Sequence, residues 1–186
     1  MDEQIRSMIE ESINIKKEVH KIIPDIKKVI ELLTTSLKNK NKAIFCGNGG
    51  SAADAQHLSA ELLGKIGQYE NPLPAIALTT NSSTVTAIAN DFGFDEIFSR
   101  QLQGLMEKDD LLFLISTSGN SKNLIEAAKE GKKLGGIIIG LLGNDGGDLK
   151  KFCDFTIVIP SKNTQRIQES HIMVGHIICE LVKSRL

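Results

Sequence analysis

The stretch IFCGNGGSAADAQHLSAELLGK, residues 44–65, places an apolar run, a glycine turn and a helical segment one after another. This order predicts a strand–turn–helix unit of an α/β sheet, in which ligands bind beyond the carboxyl ends of the strands. Residues 47–52 also fit the G-x-G-x-x-A pattern of dinucleotide-binding turns. The stretch therefore predicts a phosphate-binding turn, and it leaves open whether the phosphate belongs to a dinucleotide or to a smaller ligand.

The rest of the chain alternates short apolar runs with helical segments. Strands are predicted at 43–46, 75–79, 111–116, 136–142 and 154–160. Helices are predicted near 52–64, 83–106 (interrupted near 90–94), 121–134 and 164–185. Near-continuous apolar strands separated by helices indicate a parallel sheet covered on both faces.

The first 40 residues have a different pattern from the rest. Apolar residues at helical spacing cover 3–39, and Pro24 divides them into two helices because proline suits a first turn. We therefore expect one three-layer α/β domain over 1–186, with a helical N-terminal extension at 1–40 and an α/β core at 41–186.

Composition excludes several classes of protein. The 22 basic and 23 acidic residues give a net charge of −1, so no basic excess points to a nucleic-acid partner. No apolar run approaches the ~20 residues of a membrane span. Cys46, Cys153 and Cys179 are odd in number and form no CxxC pair, which is typical of reduced thiols. We expect a cytoplasmic protein without a membrane or nucleic-acid partner.

The loops after the strands decide between the two phosphate ligands. The second strand ends in LTTNSS, without the acidic residue that holds the ribose of a dinucleotide, and no Gly-Lys-Ser/Thr forms an ATP-binding loop. Three strands instead end in loops rich in glycine or hydroxyl groups, at 47–51, 79–84 and 116–121. One such loop is often only an N-capped turn. Three at one sheet edge predict a site for a phosphate monoester, with Ser116, Thr117, Ser118 and Ser121 as hydroxyl donors beside a helix N-terminus.

Four ordered motifs resemble those of a known family: CGNGGS (46–51), NDFGF (90–94), STSGNS (116–121) and RIQESH (166–171). They look like the sugar isomerase (SIS) domain proteins and, more closely, the phosphoheptose isomerases. The resemblance implies a flavodoxin-like five-stranded parallel sheet and a homotetramer. It also implies conversion of sedoheptulose 7-phosphate to D-glycero-D-manno-heptose 7-phosphate, the first step towards heptose for bacterial lipopolysaccharide or capsule.

Two His–Glu pairs stand at helical i,i+4 spacing, His57 with Glu61 and His176 with Glu180, so each pair shares a helix face. Such a pair is most often an ordinary hydrogen-bonded one, but the helix of the first pair starts at the predicted phosphate turn. A carboxylate and an imidazole suit the proton transfers of aldose–ketose interconversion. Spacing alone does not choose between Gln168 and Glu180 as the residue that acts with His176.

The resemblance assigns roles to individual residues. It implies Glu61 and His176 as catalytic groups, and one zinc ion per subunit held by His57, Glu61, Gln168 and His176. The residues that it implies in substrate binding are Asn48, Gly49, Gly50, Ser51, Glu61, Asn90, Asp91 and Gln168, with Ser116, Thr117, Ser118 and Ser121 at the phosphate.

The implied metal site raises a geometric difficulty. Eight residues of regular helix separate Gln168 from His176 by about 12 Å, whereas zinc ligands lie about 2 Å from one ion. Either the helix is irregular there or different subunits supply the two side chains.

Two other functions remain as alternatives. A regulator that associates with the replication initiator shares the fold and much of the glycine and serine pattern, but it lacks the catalytic Glu and His. Another sugar-phosphate SIS isomerase would carry different residues on the last helix. Glu61 and His176 favour the enzyme, and RIQESH followed by His176 favours the heptose branch.

Overall fold

A computed structural model describes all residues 1–186. The helices are α1 Asp2–Glu18, α2 Ile23–Lys38, α3 Gly50–Leu63, α4 Ser82–Phe92, α5 Ser99–Leu105, α6 Lys122–Lys133 and α7 Thr164–Lys183. The strands are β1 Ala43–Gly47, β2 Ala75–Ala77, β3 Leu111–Ser116, β4 Ile137–Leu142 and β5 Phe155–Val158. Short 3-10 turns occupy Val19–Ile22, Phe94–Glu96 and Asp148–Phe152.

The five strands form one parallel sheet in the order β2-β1-β3-β4-β5. Ala43 of β1 pairs with Ala75 on one side and with Leu111 on the other. The strand order reverses between β1 and β3, and ligands of open α/β sheets bind beside such a switch point. The loops after β1 and β3, which carry the glycine turn and the serine loop, therefore emerge side by side.

Alternate side chains of each strand enter two opposite cores, which accounts for the three layers. Phe45 and Phe113 stack with ring centroids 4.8 Å apart and belong to the core under α2, α3 and α7. Ile44 and Leu112 point the other way, into the core under α4, α5 and α6. The predicted fold, a five-stranded parallel sheet between helices, is confirmed.

Helices α3 and α7 pack closely and run in the same direction. Leu58 lies against Gly175, and further along Lys183 donates to the carbonyl of Gly64. A Cβ at Gly175 would lie 2.8 Å from Leu58 Cδ1 and closer still to Cδ2, so the absence of a side chain there allows the approach. Side chains on the facing sides of α3 and α7 therefore meet along one seam.

Several predicted boundaries move. The helical segment predicted at 83–106 has its predicted interruption near 90–94, since α4 is followed by a 3-10 turn and α5, with Gly93 at φ +96° between the first two. The strand predicted at 75–79 ends at Ala77, where Thr80 Oγ1 donates to the carbonyl of that residue. Asp154 lies just outside β5, and its carboxylate accepts a hydrogen bond from the Ile138 amide.

The N-terminal helices differ from each other in burial. Pro24 lies in the first turn of α2, as predicted, and α2 contributes Val29 and Leu33 to the larger core. Helix α1 has no buried residue, and Ile5 and Ile9 are exposed on it. None of the seven helices has the length and apolarity needed to cross a membrane.

Candidate active site

The turn between β1 and α3 needs its glycines. Gly49 has φ +57°, which is strained for residues with a side chain. A Cβ on Gly47 would lie 2.5 Å from the Ser51 carbonyl oxygen, because the turn folds tightly back on the strand end. The turn therefore presents backbone rather than side chains at the carboxyl end of β1.

The serine loop after β3 is braced by the loop that follows β4. Ser116 is 4% exposed, and its Oγ accepts a hydrogen bond from the Gly119 amide. Gly119 has φ +67° and lies directly against the Gly146 carbonyl, where a Cβ has no room. Asn144 Nδ2 donates to the Thr117 carbonyl at 2.8 Å. Sequence reasoning missed this brace, since the residues after β4 carry no ligand pattern of their own.

The helix N-termini at this sheet edge fall into two kinds. The side chains of Asn81 and Asn163 cap α4 and α7 by accepting from backbone amides. The N-cap residues that precede α3 and α6, Gly49 and Ser121, make no side-chain capping hydrogen bond. The first-turn amides of α3 and α6 thus lack a side-chain acceptor, which is the arrangement that binds phosphate groups.

The imidazoles of His57 and His176 meet across the seam of α3 and α7. Their Nε2 atoms are 2.8 Å apart, and the rings are edge-on at 84°. Glu61 Oε1 lies 3.3 Å from His57 Nε2 and 3.9 Å from His176 Nε2. The Glu61 side chain is 20% exposed, while those of His57 and His176 are 49% and 43% exposed. The cluster is thus reachable from solvent.

This cluster fits a metal ion. One ligand atom from each of the three side chains lies within 4.8 Å of the other two. Two imidazoles and a carboxylate form the donor set of catalytic zinc sites that keep a further position open. Glu180, the helical neighbour of His176, is exposed and lies outside the cluster, so α3 supplies the groups that meet His176.

Gln168 lies elsewhere on the seam. Helix α7 is continuous from Thr164 to Lys183, so the first of the two alternatives, an irregular helix, is excluded. Gln168 is therefore about 12 Å from His176 along the axis. Its carboxamide packs against Gly50 at the start of α3, beside the glycine turn. That Gln168 binds the metal of another subunit stays a prediction.

Asn90 and Asp91 lie on the last turn of α4. Asn90 Nδ2 donates to Asp91 Oδ1 at 2.8 Å, and both residues are exposed. No hydrogen bond joins them to the glycine turn or to the serine loop. A cavity of about 180 Å³ does open between the glycine turn and the segment after α4, with Asn48 and Phe94 among the residues that line it.

Asp54 is a further polar group in the seam that the sequence did not single out. It follows Gly50 by four residues and precedes His57 by three, so all three lie on one face of α3. Its Oδ2 is buried without a hydrogen-bond partner, and burial raises the pKa of this carboxyl to about 6 although His57 acts in the opposite direction. Asp54 is distinguished only by its burial in the tertiary structure, so the spacing of residues in the sequence could not single it out.

Comparison with known proteins places this fold and site in a defined class. The family model of the SIS domain matches residues 8–143, and the chain belongs to the SIS-domain family. A phosphoheptose isomerase of Sulfurimonas denitrificans is 45% identical over 100% of this chain and 97% of its own. One from Clostridium acetobutylicum is 45% identical over 100% of this chain and 94% of its own.

A solved structure agrees with these relatives. The phosphoheptose isomerase of Neisseria gonorrhoeae superimposes with a TM-score of 0.93 at 42% identity, covering 98% of each chain. Within the SIS-domain family, the chain thus belongs to the phosphoheptose isomerases.

Proposed function

We propose that this protein is an aldose–ketose isomerase that converts sedoheptulose 7-phosphate to D-glycero-D-manno-heptose 7-phosphate. The observation that carries the proposal is the His57–Glu61–His176 cluster, which lies on the same helix seam as the glycine turn. The relatives that match almost the whole chain are phosphoheptose isomerases. They do not favour a replication regulator or a different SIS isomerase.

Glu61 and His176 are the proposed catalytic groups. The isomerisation moves a proton between two adjacent carbons and also requires proton transfer at the neighbouring oxygens. The Glu61 carboxylate suits the role of base at carbon. The His176 ring, whose Nε2 lies 3.9 Å from it, suits the exchange of a proton with a sugar oxygen through a ring nitrogen that holds no metal.

The loops at the sheet edge hold the rest of the substrate in this proposal. The uncapped N-terminus of α6 and the hydroxyls of Ser116, Thr117, Ser118 and Ser121 bind the phosphate. The sugar hydroxyls contact the residues of the glycine turn and its neighbours, namely Asn48, Gly49, Gly50, Ser51, Asn90, Asp91 and Gln168.

A zinc ion, one per subunit, is the proposed cofactor. His57, Glu61 and His176 would hold it, with Gln168 as a fourth ligand. When bound, the ion stabilises negative charge on the sugar oxygens as a Lewis acid. The unbroken α7 supports a Gln168 that comes from a different subunit than His176.

A cytoplasmic homotetramer is the proposed working form. Helix α1 exposes Ile5, Met8 and Ile9, and an open groove of about 710 Å³ runs between α1, α2 and α7. A helix with such an apolar stripe is typical of one that packs on another surface. The three free cysteines are typical of a reducing compartment.

The direct test is turnover of sedoheptulose 7-phosphate followed by NMR, with Glu61→Gln as the variant. We expect Glu61→Gln to abolish isomerisation and to keep sugar-phosphate binding largely intact, because the amide cannot accept the proton. Glu180→Gln is a matched control, since Glu180 is exposed outside the cluster. Unchanged turnover in Glu61→Gln would remove Glu61 from the mechanism.

A further inference from the structure

Two carboxamides pair at the point where the glycine turn meets α6. Asn48 Nδ2 donates to Asn123 Oδ1, and Asn123 Nδ2 donates to Asn48 Oδ1, both at 2.9 Å. Asn123 is the second residue of α6 and is 2% exposed. Asn48 lies in the turn after β1 and is only partly buried. The pair links segments that are 75 residues apart in the chain.

The pairing is specific to carboxamides. Each group donates one N–H and accepts one through its oxygen, which a hydroxyl, a carboxylate or an apolar side chain cannot match in a flat two-bond ring. The ring leaves Asn48 one N–H and one oxygen lone pair. Because Asn48 lines the cavity beside the glycine turn, these remaining groups are available to a ligand there.

We propose that Asn123 is a positioning residue that sets the separation between the sugar-binding turn and the phosphate-binding loop. This inference rests on the proposed function of those two loops. Asn123 follows Ser121 by two residues, so it moves with the phosphate loop, while its hydrogen bonds hold Asn48 of the sugar turn. A sugar phosphate must contact both loops at once, whereas inorganic phosphate needs only the serine loop.

The expected effect therefore differs between the two ligands. A displacement of about 1 Å of a positioning group can lower a rate by about 10²-fold. We expect Asn123→Leu to lower kcat/KM for sedoheptulose 7-phosphate by about 10- to 100-fold. The inhibition constant of inorganic phosphate should stay within about twofold, since the leucine leaves the Ser116–Ser121 hydroxyls in place. Asn123→Ser serves as a second variant should the leucine protein not fold.

A double-mutant cycle with Asn48 separates positioning from general damage. Where Asn123 acts through Asn48, Asn123→Leu should lower kcat/KM no further in an Asn48→Ala background. Gln101→Leu is the matched control, because Gln101 is a buried carboxamide, 9% exposed, whose hydrogen bonds go to the carbonyls of Leu78 and Ile97. It should lower the melting temperature and leave kcat/KM unchanged.

Three results would overturn the inference alone: wild-type kcat/KM in both Asn123 variants, effects that multiply with Asn48→Ala, or a parallel loss of phosphate affinity. A wild-type protein that does not isomerise sedoheptulose 7-phosphate would instead overturn the proposed function and this inference with it.

Discussion

Gly50→Ala offers a way to disturb the candidate site with a single methyl group. Gly50 is the first residue of α3, and its φ lies outside the left-handed region. An added Cβ would lie 2.9 Å from Gln168 Cδ and 3.2 Å from Oε1, and closer still to Nε2. Because ordinary contact begins at 3.4 Å, the carboxamide must retreat by about 1 Å.

The substitution is expected to change activity far more than stability. The atoms that the added Cβ meets are at the end of the flexible Gln168 side chain, which can move. The helix propensity of alanine exceeds that of glycine by up to about 1 kcal/mol. The free energy of unfolding should therefore stay constant or rise slightly. A shift of about 1 Å in a group that orients substrate can cost about 10²-fold in rate. We expect kcat/KM to fall by about 10- to 100-fold in a fully folded protein.

The assay compares isomerase kinetics and urea unfolding of Gly50→Ala with those of Gly104→Ala. Gly104 is the control because no atom lies within 4 Å of its added Cβ. Its variant should keep full activity. Wild-type kcat/KM in Gly50→Ala would refute the assignment of Gln168 to the site, and a loss explained entirely by unfolded protein would refute the expected stability.

Three further predictions concern residues of α3 and α7. Burial lowers the pKa of His171 to about 4 from its ordinary value of 6.5. The folded protein is therefore most stable above about pH 6.5, where the ring is neutral in both states, and it loses stability as the pH falls from 6.5 to about 4. That loss amounts to about 3 kcal/mol, and urea unfolding should show it in the wild type and not in His171→Gln. Gly175→Ala should lower the free energy of unfolding by about 1–2 kcal/mol, because overpacking against Leu58 exceeds the gain in helix propensity; an unchanged melting temperature would contradict the close approach. His57→Ala should reduce bound zinc, measured by plasma mass spectrometry, while His20→Ala, which changes an exposed histidine, should not.

The fold could be predicted from the sequence because apolar runs and helical spacing mark each layer. Local hydrogen bonds lie at the boundaries that moved, such as the one that the Asp154 carboxylate accepts from the Ile138 amide, and composition does not reveal them. The interruption predicted near 90–94 falls at Gly93, whose φ of +96° a glycine adopts without strain.

The candidate site was predictable in part. His57 and Glu61 share a helix face by spacing, but their meeting with His176 depends on the close packing of α3 and α7. Nothing in the sequence distinguishes Asn123 from other residues that begin a helix. Only the tertiary structure pairs it with Asn48, because the two are 75 residues apart. Spacing within one element predicts shared faces, whereas contacts between elements require the fold.

The His57–Glu61–His176 cluster is the proposed centre of a metal-dependent isomerase. The most direct measurement is conversion of sedoheptulose 7-phosphate by the purified protein, with zinc content determined on the same sample before and after chelation. We predict conversion with about one zinc ion per subunit, loss of activity on chelation and recovery on readdition of zinc. A fully active sample without metal would contradict the zinc assignment, and a zinc-loaded sample without conversion would contradict the isomerase itself.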